Sequence, residues 1–163
     1  MRNRARHLRP LLTAWLCLAG LLACRAPQAP ADNRDSSAHN LSLDEEHGGH
    51  TLQRHIGRTD NDLRERLQHE PNISAASTYT DRATAERVIG VALQQNAGKI
   101  QRWIERGPRR PNLVLDYADP NDAVGRVMNR NAMGSVPCER AIVVLKSDGD
   151  GYYVLTSYPE CRP

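Results

Sequence analysis

The chain has 163 residues, with 22 Lys plus Arg against 19 Asp plus Glu, a formal net charge of +3 and no phenylalanine. That length suits one ordinary domain and excludes a large multidomain machine. So mild a charge and only 4% aromatic residues argue against a non-specific nucleic-acid binder that works by bulk charge or base stacking.

Residues 1–9 carry Arg2, Arg4, Arg6 and Arg9 and no acid, and an apolar run from Leu11 to Leu22 follows, broken by Thr13 and Gly20. A basic stretch before about a dozen apolar residues has the form of an export signal, too short to span a bilayer comfortably. The run ends in "LLAC", and Leu21, Leu22, Ala23 and Cys24 match the bacterial lipoprotein pattern, in which the cysteine is lipidated and becomes the first mature residue. The alternative is an ordinary secretory signal cut near "APQAP". Four of the basic residues and none of the acids lie in this segment, so the positive charge belongs to the signal. The expectation is a lipoprotein signal over 1–23 and an exported protein held on a membrane through Cys24, facing the periplasm or the cell surface. Arg25, where an inner-membrane retention signal expects aspartate, argues mildly against the inner membrane.

Residues 24–46 are rich in Pro, Ala, Ser and Asp with few large apolar residues, and they read as a disordered tether. The folded domain is expected over 47–163. "TDNDLRERLQHEP" predicts a helix with Thr59 as N-cap, Asp62 as its reciprocal partner, Leu63 and Leu67 on one face and Pro71 as the stop. "ISAASTYT" reads as loop or turn. "DRATAERVIGVALQQNAGKIQRWIER" predicts one long helix capped by Asp81, its apolar positions recurring from Ala85 to Ile104 and ended by Gly107-Pro108. After Pro111 the pattern turns to short β-rich runs: "NLVLDY", "AVGRVM" after the turn "ADPND", then "CERAIVVLK" and "YYVLTSY" joined by "SDGDG". Helices followed by an antiparallel meander of about four strands predict an α+β fold.

Of four cysteines, Cys17 leaves with the signal and Cys24 is the lipid site. A hairpin centred near Gly149 sets Cys138 opposite residues 160–161. A Cys138–Cys161 disulfide is therefore expected in an exported chain.

"HGGHTLQRHIG" places His47, His50 and His55 within nine positions. Zinc favours His with carboxylates, but no H-E-x-x-H occurs, His50 and His55 lack helical i, i+4 spacing, and the nearby Glu45 and Glu46 fall in the tether. No metal and no other cofactor is expected. Acid–base work is the other use of histidine near neutral pH. His50, His55, Arg54, Arg58 and Arg66 supply proton-transfer groups and fixed positive charge of the kind RNA cleavage needs. A solvated polar loop accounts for the same spacing.

The blocks "GGHTLQRHIGRTDNDLRERL", "ISAASTYTDRATAERVIGVAL", "IQRWI" and "YYVLTSYP", in that order, resemble the bacterial RNase A-like toxin domains found as C-terminal domains of contact-dependent inhibition and other polymorphic toxins. The resemblance spans about 47–163. It implies N-terminal helices packed on a kidney-shaped antiparallel sheet, and a metal-independent endoribonuclease with RNA, tRNA included, as substrate. A cognate immunity protein is the partner to expect, and the domain is expected to be monomeric. Matched position by position, the family's catalytic histidine falls on His55, its arginine on Arg66, and the threonine and tyrosine of its final strand on Thr156 and Tyr158. His50 is either a second proton-transfer residue or a structural one, and Arg54 and Arg58 are candidate phosphate ligands. Such domains usually close very large secreted proteins, whereas this one follows a lipoprotein signal and a short tether. A second reading therefore stands beside the first: a catalytically silent surface lipoprotein that uses the fold to bind a partner.

Overall fold

The computed structural model describes residues 38–161. The expected export signal, Cys24 and most of the expected tether lie outside the described residues. The fold is α+β, in the order α1 (Leu41–Glu46), α2 (Thr51–His55), α3 (Asp60–His69), β1 (Ala75–Tyr79), α4 (Arg82–Gln95), α5 (Ala97–Ile104), β2 (Leu113–Ala118), β3 (Gly125–Asn129), β4 (Val136–Cys138), β5 (Arg140–Asp148) and β6 (Gly151–Pro159).

Helix α3 forms as its capping box predicts. Thr59 accepts from the Asp62 N–H, and the Asp62 carboxylate accepts from the Thr59 N–H. Leu63 and Leu67 lie one turn apart and pack on Ala76 and Met128 in a small core. The main core joins Val88, Ile89 and Ala92 of α4 and Trp103 of α5 to Leu115, Val143, Leu145 and Val154 of the strands. Burying each large apolar side chain there contributes about 1.5–3 kcal/mol.

Four features correct the sequence reading. First, the stretch expected to be one helix is two. Asn96 ends α4 and starts α5, and its side-chain amide and backbone N–H both donate to the Ala92 carbonyl, closing the turn. Second, "ISAASTYT" is no loop: Ala75–Tyr79 is strand β1, paired antiparallel with β3. Its small side chains hide its strand character, which comes from a partner 46 to 54 residues away.

Third, there is no single meander. The strands form two antiparallel three-stranded sheets, β1-β3-β4 and β2-β5-β6, so "ADPND" leads from one sheet to the other. Fourth, the folded part begins before residue 47. Residues expected to be tether form α1, and Leu41 is fully buried in the core.

The first two helices dock on the free edge of β6. The Val154 N–H donates to Asp44 Oδ1 (2.8 Å), the His50 N–H to the Leu155 carbonyl (3.0 Å), and the Ser157 N–H to Thr51 Oγ1 (2.9 Å). Leu155 is the extra residue of a bulge, since Val154 pairs with Leu145 but Thr156 with Val144. The glycine pair of "HGGH" serves this docking. Gly48 takes φ +98°, and a Cβ on Gly49 would stand 2.7 Å from the Val154 carbonyl oxygen.

The expected disulfide is present. Cys138 and Cys161 are joined with Cα atoms 5.5 Å apart. Cys138 belongs to β4 and pairs with Gly125 of β3, so the bridge ties the edge of one sheet to the end of β6 in the other.

Candidate active site

The two sheets meet where the Tyr79 hydroxyl of β1 bonds the Ser157 hydroxyl of β6 at 2.5 Å. Beside that junction lies a cleft of about 550 Å3. It brings together His50, His55, Arg66, Thr156 and Tyr158, which are spread over more than one hundred positions of the chain. Arg54 and Arg58 do not line it. They line a neighbouring depression of about 310 Å3, and Arg66 borders both.

His55 ends α2 and is 6% exposed. Its Nδ1 stands 3.2 Å from the Ser77 carbonyl oxygen. A carbonyl only accepts, so Nδ1 carries the hydrogen and Nε2 keeps its lone pair. The ring lies against Tyr158, centroids 5.4 Å apart and planes tilted by 33°. Burial pushes the His55 pKa down to about 3, and the charges of Arg66, His50 and Arg54 act in the same direction, against the Ser77 bond. His55 is therefore a neutral imidazole at neutral pH.

His50 stands at the N-terminus of α2, its backbone held by Leu155. Its pKa is also lowered, by partial burial first and then by Arg54 and Arg66, with Glu45 opposing. Glu45, expected in the tether, instead accepts from the Leu52 N–H at 2.9 Å and caps α2.

Thr156 and Tyr158 alternate along β6 and share the cleft face, while Ser157 between them is fully buried and donates to the Ile142 carbonyl. The Tyr158 pKa is raised by burial and by the charge of Glu160, so its hydroxyl keeps its proton. Arg66 reaches the cleft from α3 and donates through Nε to Glu70 at 3.2 Å. Its Nη1 and the Thr156 Oγ1 are buried and have no hydrogen-bond partner among the described residues. Two polar atoms left unpaired at one cleft cost the fold about 1–3 kcal/mol each, a cost an anionic oxygen would offset.

His47 lies outside the cleft. It is exposed, bonded to the Leu43 carbonyl at 2.8 Å. Among the described residues no three His, Cys, Asp or Glu side chains gather as a metal site. Several cleft residues carry no motif in the sequence. The Ser77 carbonyl is a backbone group, and Asn72, Val127 and Asn129 arrive only through strand pairing and the turn before β1.

Residues 49–159 match the family model described as the bacterial CdiA-CT RNAse A domain. The chain belongs to that family. A solved CdiA-CT/CdiI complex from Y. kristensenii is 31% identical with a TM-score of 0.62, and the match covers 69% of this chain and 100% of that one. A comparison with curated proteins finds no match. The family is one of ribonuclease toxins, and its RNase A-like fold is the one described above.

Proposed function

We propose that this protein is a metal-independent endoribonuclease of the toxin type, cleaving RNA by attack of a 2′-hydroxyl on the adjacent phosphate. The observation that carries the reading is the pairing of a neutral His55, its Nε2 free, with two unpartnered buried polar atoms, Arg66 Nη1 and Thr156 Oγ1, at the same cleft.

His55 Nε2 takes the proton of the 2′-OH. The 2′-oxygen bonds to phosphorus, and the bond from phosphorus to the 5′-oxygen of the next nucleotide breaks. Arg66 and the Thr156 hydroxyl donate to the phosphate oxygens, where negative charge builds up. The leaving 5′-oxygen takes a proton from Tyr158, whose hydroxyl stays protonated, while His50, its pKa lowered beside Arg54 and Arg66, lines the cleft as a neutral ring. The products are a 2′,3′-cyclic phosphate and a 5′-hydroxyl. DNA, without a 2′-hydroxyl, is not a substrate. Arg54, Arg58 and Arg66 offer positive charge to a flanking phosphate in the second depression, where Asp62, Glu65 and Glu70 also stand.

The same reading includes export, a lipid on Cys24, and a cognate inhibitor. The relation to a CdiA-CT/CdiI complex supports the last of these. Incubating the chain with RNA in the presence of a chelator tests the chemistry. Cleavage should persist, leave cyclic phosphate ends and spare DNA. Loss of cleavage on chelation would overturn the mechanism, and absence of cleavage altogether would favour a silent binding protein.

A further inference from the structure

The floor of the cleft is one face of the β1–β3 pair. Ser77 pairs with Val127 and Ala75 with Asn129, so these four side chains share a face, and all four residues line the cleft. The opposite face carries Ala76 and Met128 and is sealed by Leu63 and Leu67 of α3. The cleft face therefore has nothing to do with packing α3. It runs outward from Ser77, whose carbonyl holds His55, to Asn129 at the far end.

We propose that this face is the nucleobase-selecting subsite and that Asn129 is its selecting residue. The inference rests on the ribonuclease reading above and names part of its substrate. Three properties of the face fit a planar base. Ala75 and Ser77 are short, which leaves a low floor beside β1. Val127 offers an apolar contact for the flat side of a ring. Asn129 is exposed, and its side-chain amide makes no hydrogen bond among the described residues. An amide is a neighbouring donor and acceptor, which pairs with a base edge that is one of each, as adenine's is, and fits poorly against two adjacent donors.

The spacing also fits. Two residues along a strand cover about 6.6 Å. That is the order of the reach from a ribose 2′-hydroxyl to the hydrogen-bonding edge of its own base. With the 2′-hydroxyl at His55, the base selected is that of the nucleotide providing the attacking oxygen. Asn72 lines the cleft too and is exposed, a second amide available to the base.

The experiment is cleavage of a random-sequence RNA pool by the wild-type chain and by Asn129→Asp and Asn129→Ala, with the base 5′ to each cut read by sequencing. The wild type should cut with a marked preference at that position. Asn129→Ala should compress it by about tenfold. Asn129→Asp should reorder it toward guanine, whose adjacent N–H groups suit a carboxylate. A protein that was merely destabilised would lose rate at all bases equally, without reordering them, and melting curves check the folding of both variants. Active variants with the wild-type preference would overturn the subsite and leave the ribonuclease reading intact. A wild-type chain without cleavage would overturn both.

Discussion

Two histidine pairs close together in the chain live in opposite surroundings. His39 and His47 stand beside carboxylates, with Nε2 of His39 2.7 Å from Asp44 and Nε2 of His47 3.8 Å from Asp148. They line their own depression with Tyr152 and Tyr153. The His47 pKa is raised, first by its bond to the Leu43 carbonyl and then by Asp148 and other acids. His50 and His55 stand beside Arg54 and Arg66, His55 deeply buried, and both pKa values are lowered. The acids beside His47 favour its protonated form and repel phosphate. Arginine-lined histidines lose the proton and face a positive field that draws phosphate in. The sign of the neighbouring charge, more than the density of histidines, marks the site.

The sharpest way to break this contrast is one alanine on each side. His55→Ala should lower RNA cleavage about 10²–10⁴-fold, the usual contribution of a positioned acid–base group. His47→Ala should leave the rate within about twofold, since an exposed ion pair at that distance does little. Equal losses in a timed cleavage assay would erase the distinction. On the arginine side, Arg66→Ala should cost about 10²–10³-fold through lost charge stabilisation. Arg66→Lys should recover only part of it, because the charge returns without the planar fork. Full rescue by lysine would mean that Nη1 has no directed partner in the reaction.

The contrast also predicts a pH dependence of stability. The folded His55 pKa of about 3 lies below its unfolded value of 6.5, so the unfolded chain binds more protons between them. The stabilisation is complete above pH 6.5 and is lost as pH falls toward 3. By pH 4 the loss amounts to about 3 kcal/mol. In urea unfolding at pH 7 and pH 4, His55→Asn should lose less stability on acidification than the wild type. Parallel losses would show that His55 is not buried as a neutral ring.

How much of this was legible in the sequence depends on how local each cause is. The α3 capping box was legible because Thr59 and Asp62 are three residues apart. The hairpin register pointed to the right pair of cysteines, although Cys138 sits in β4 of the other sheet rather than on the strand paired with β6, and the bulge at Leu155 shifts the register by one. Thr156 and Tyr158 share a face by simple alternation, and the family resemblance pointed to both. Strand β1 was not legible, because Ala75–Tyr79 becomes a strand only by pairing with Gly125–Asn129. Asp44 and Glu45 looked like tether, because a cap on α2 and a bond to β6 leave no periodic trace. The two arginines expected at the phosphate fell in the next depression. Sequence proximity to His55 does not set where a side chain points, whether from a one-turn helix, as for Arg54, or from the link after it, as for Arg58.

The smallest effect separates a hydroxyl kept for the fold from one kept for chemistry. Thr51, on α2, and Thr156, in β6, both sit near the bulge. Thr51 is 1% exposed, and its Oγ1 accepts from the Ser157 N–H. Thr51→Val leaves that buried N–H unpaired and should cost about 1–3 kcal/mol. Thr156 Oγ1 bonds nothing among the described residues, so Thr156→Val removes an unpaired polar atom at nearly constant volume. Its melting temperature should stay level or rise, while cleavage falls about tenfold through the lost donor to phosphate. Paired melting curves and rates for the two variants decide the matter. If Thr156→Val melts lower than the wild type, its hydroxyl serves the fold, and the contacts to the scissile phosphate reduce to Arg66 alone.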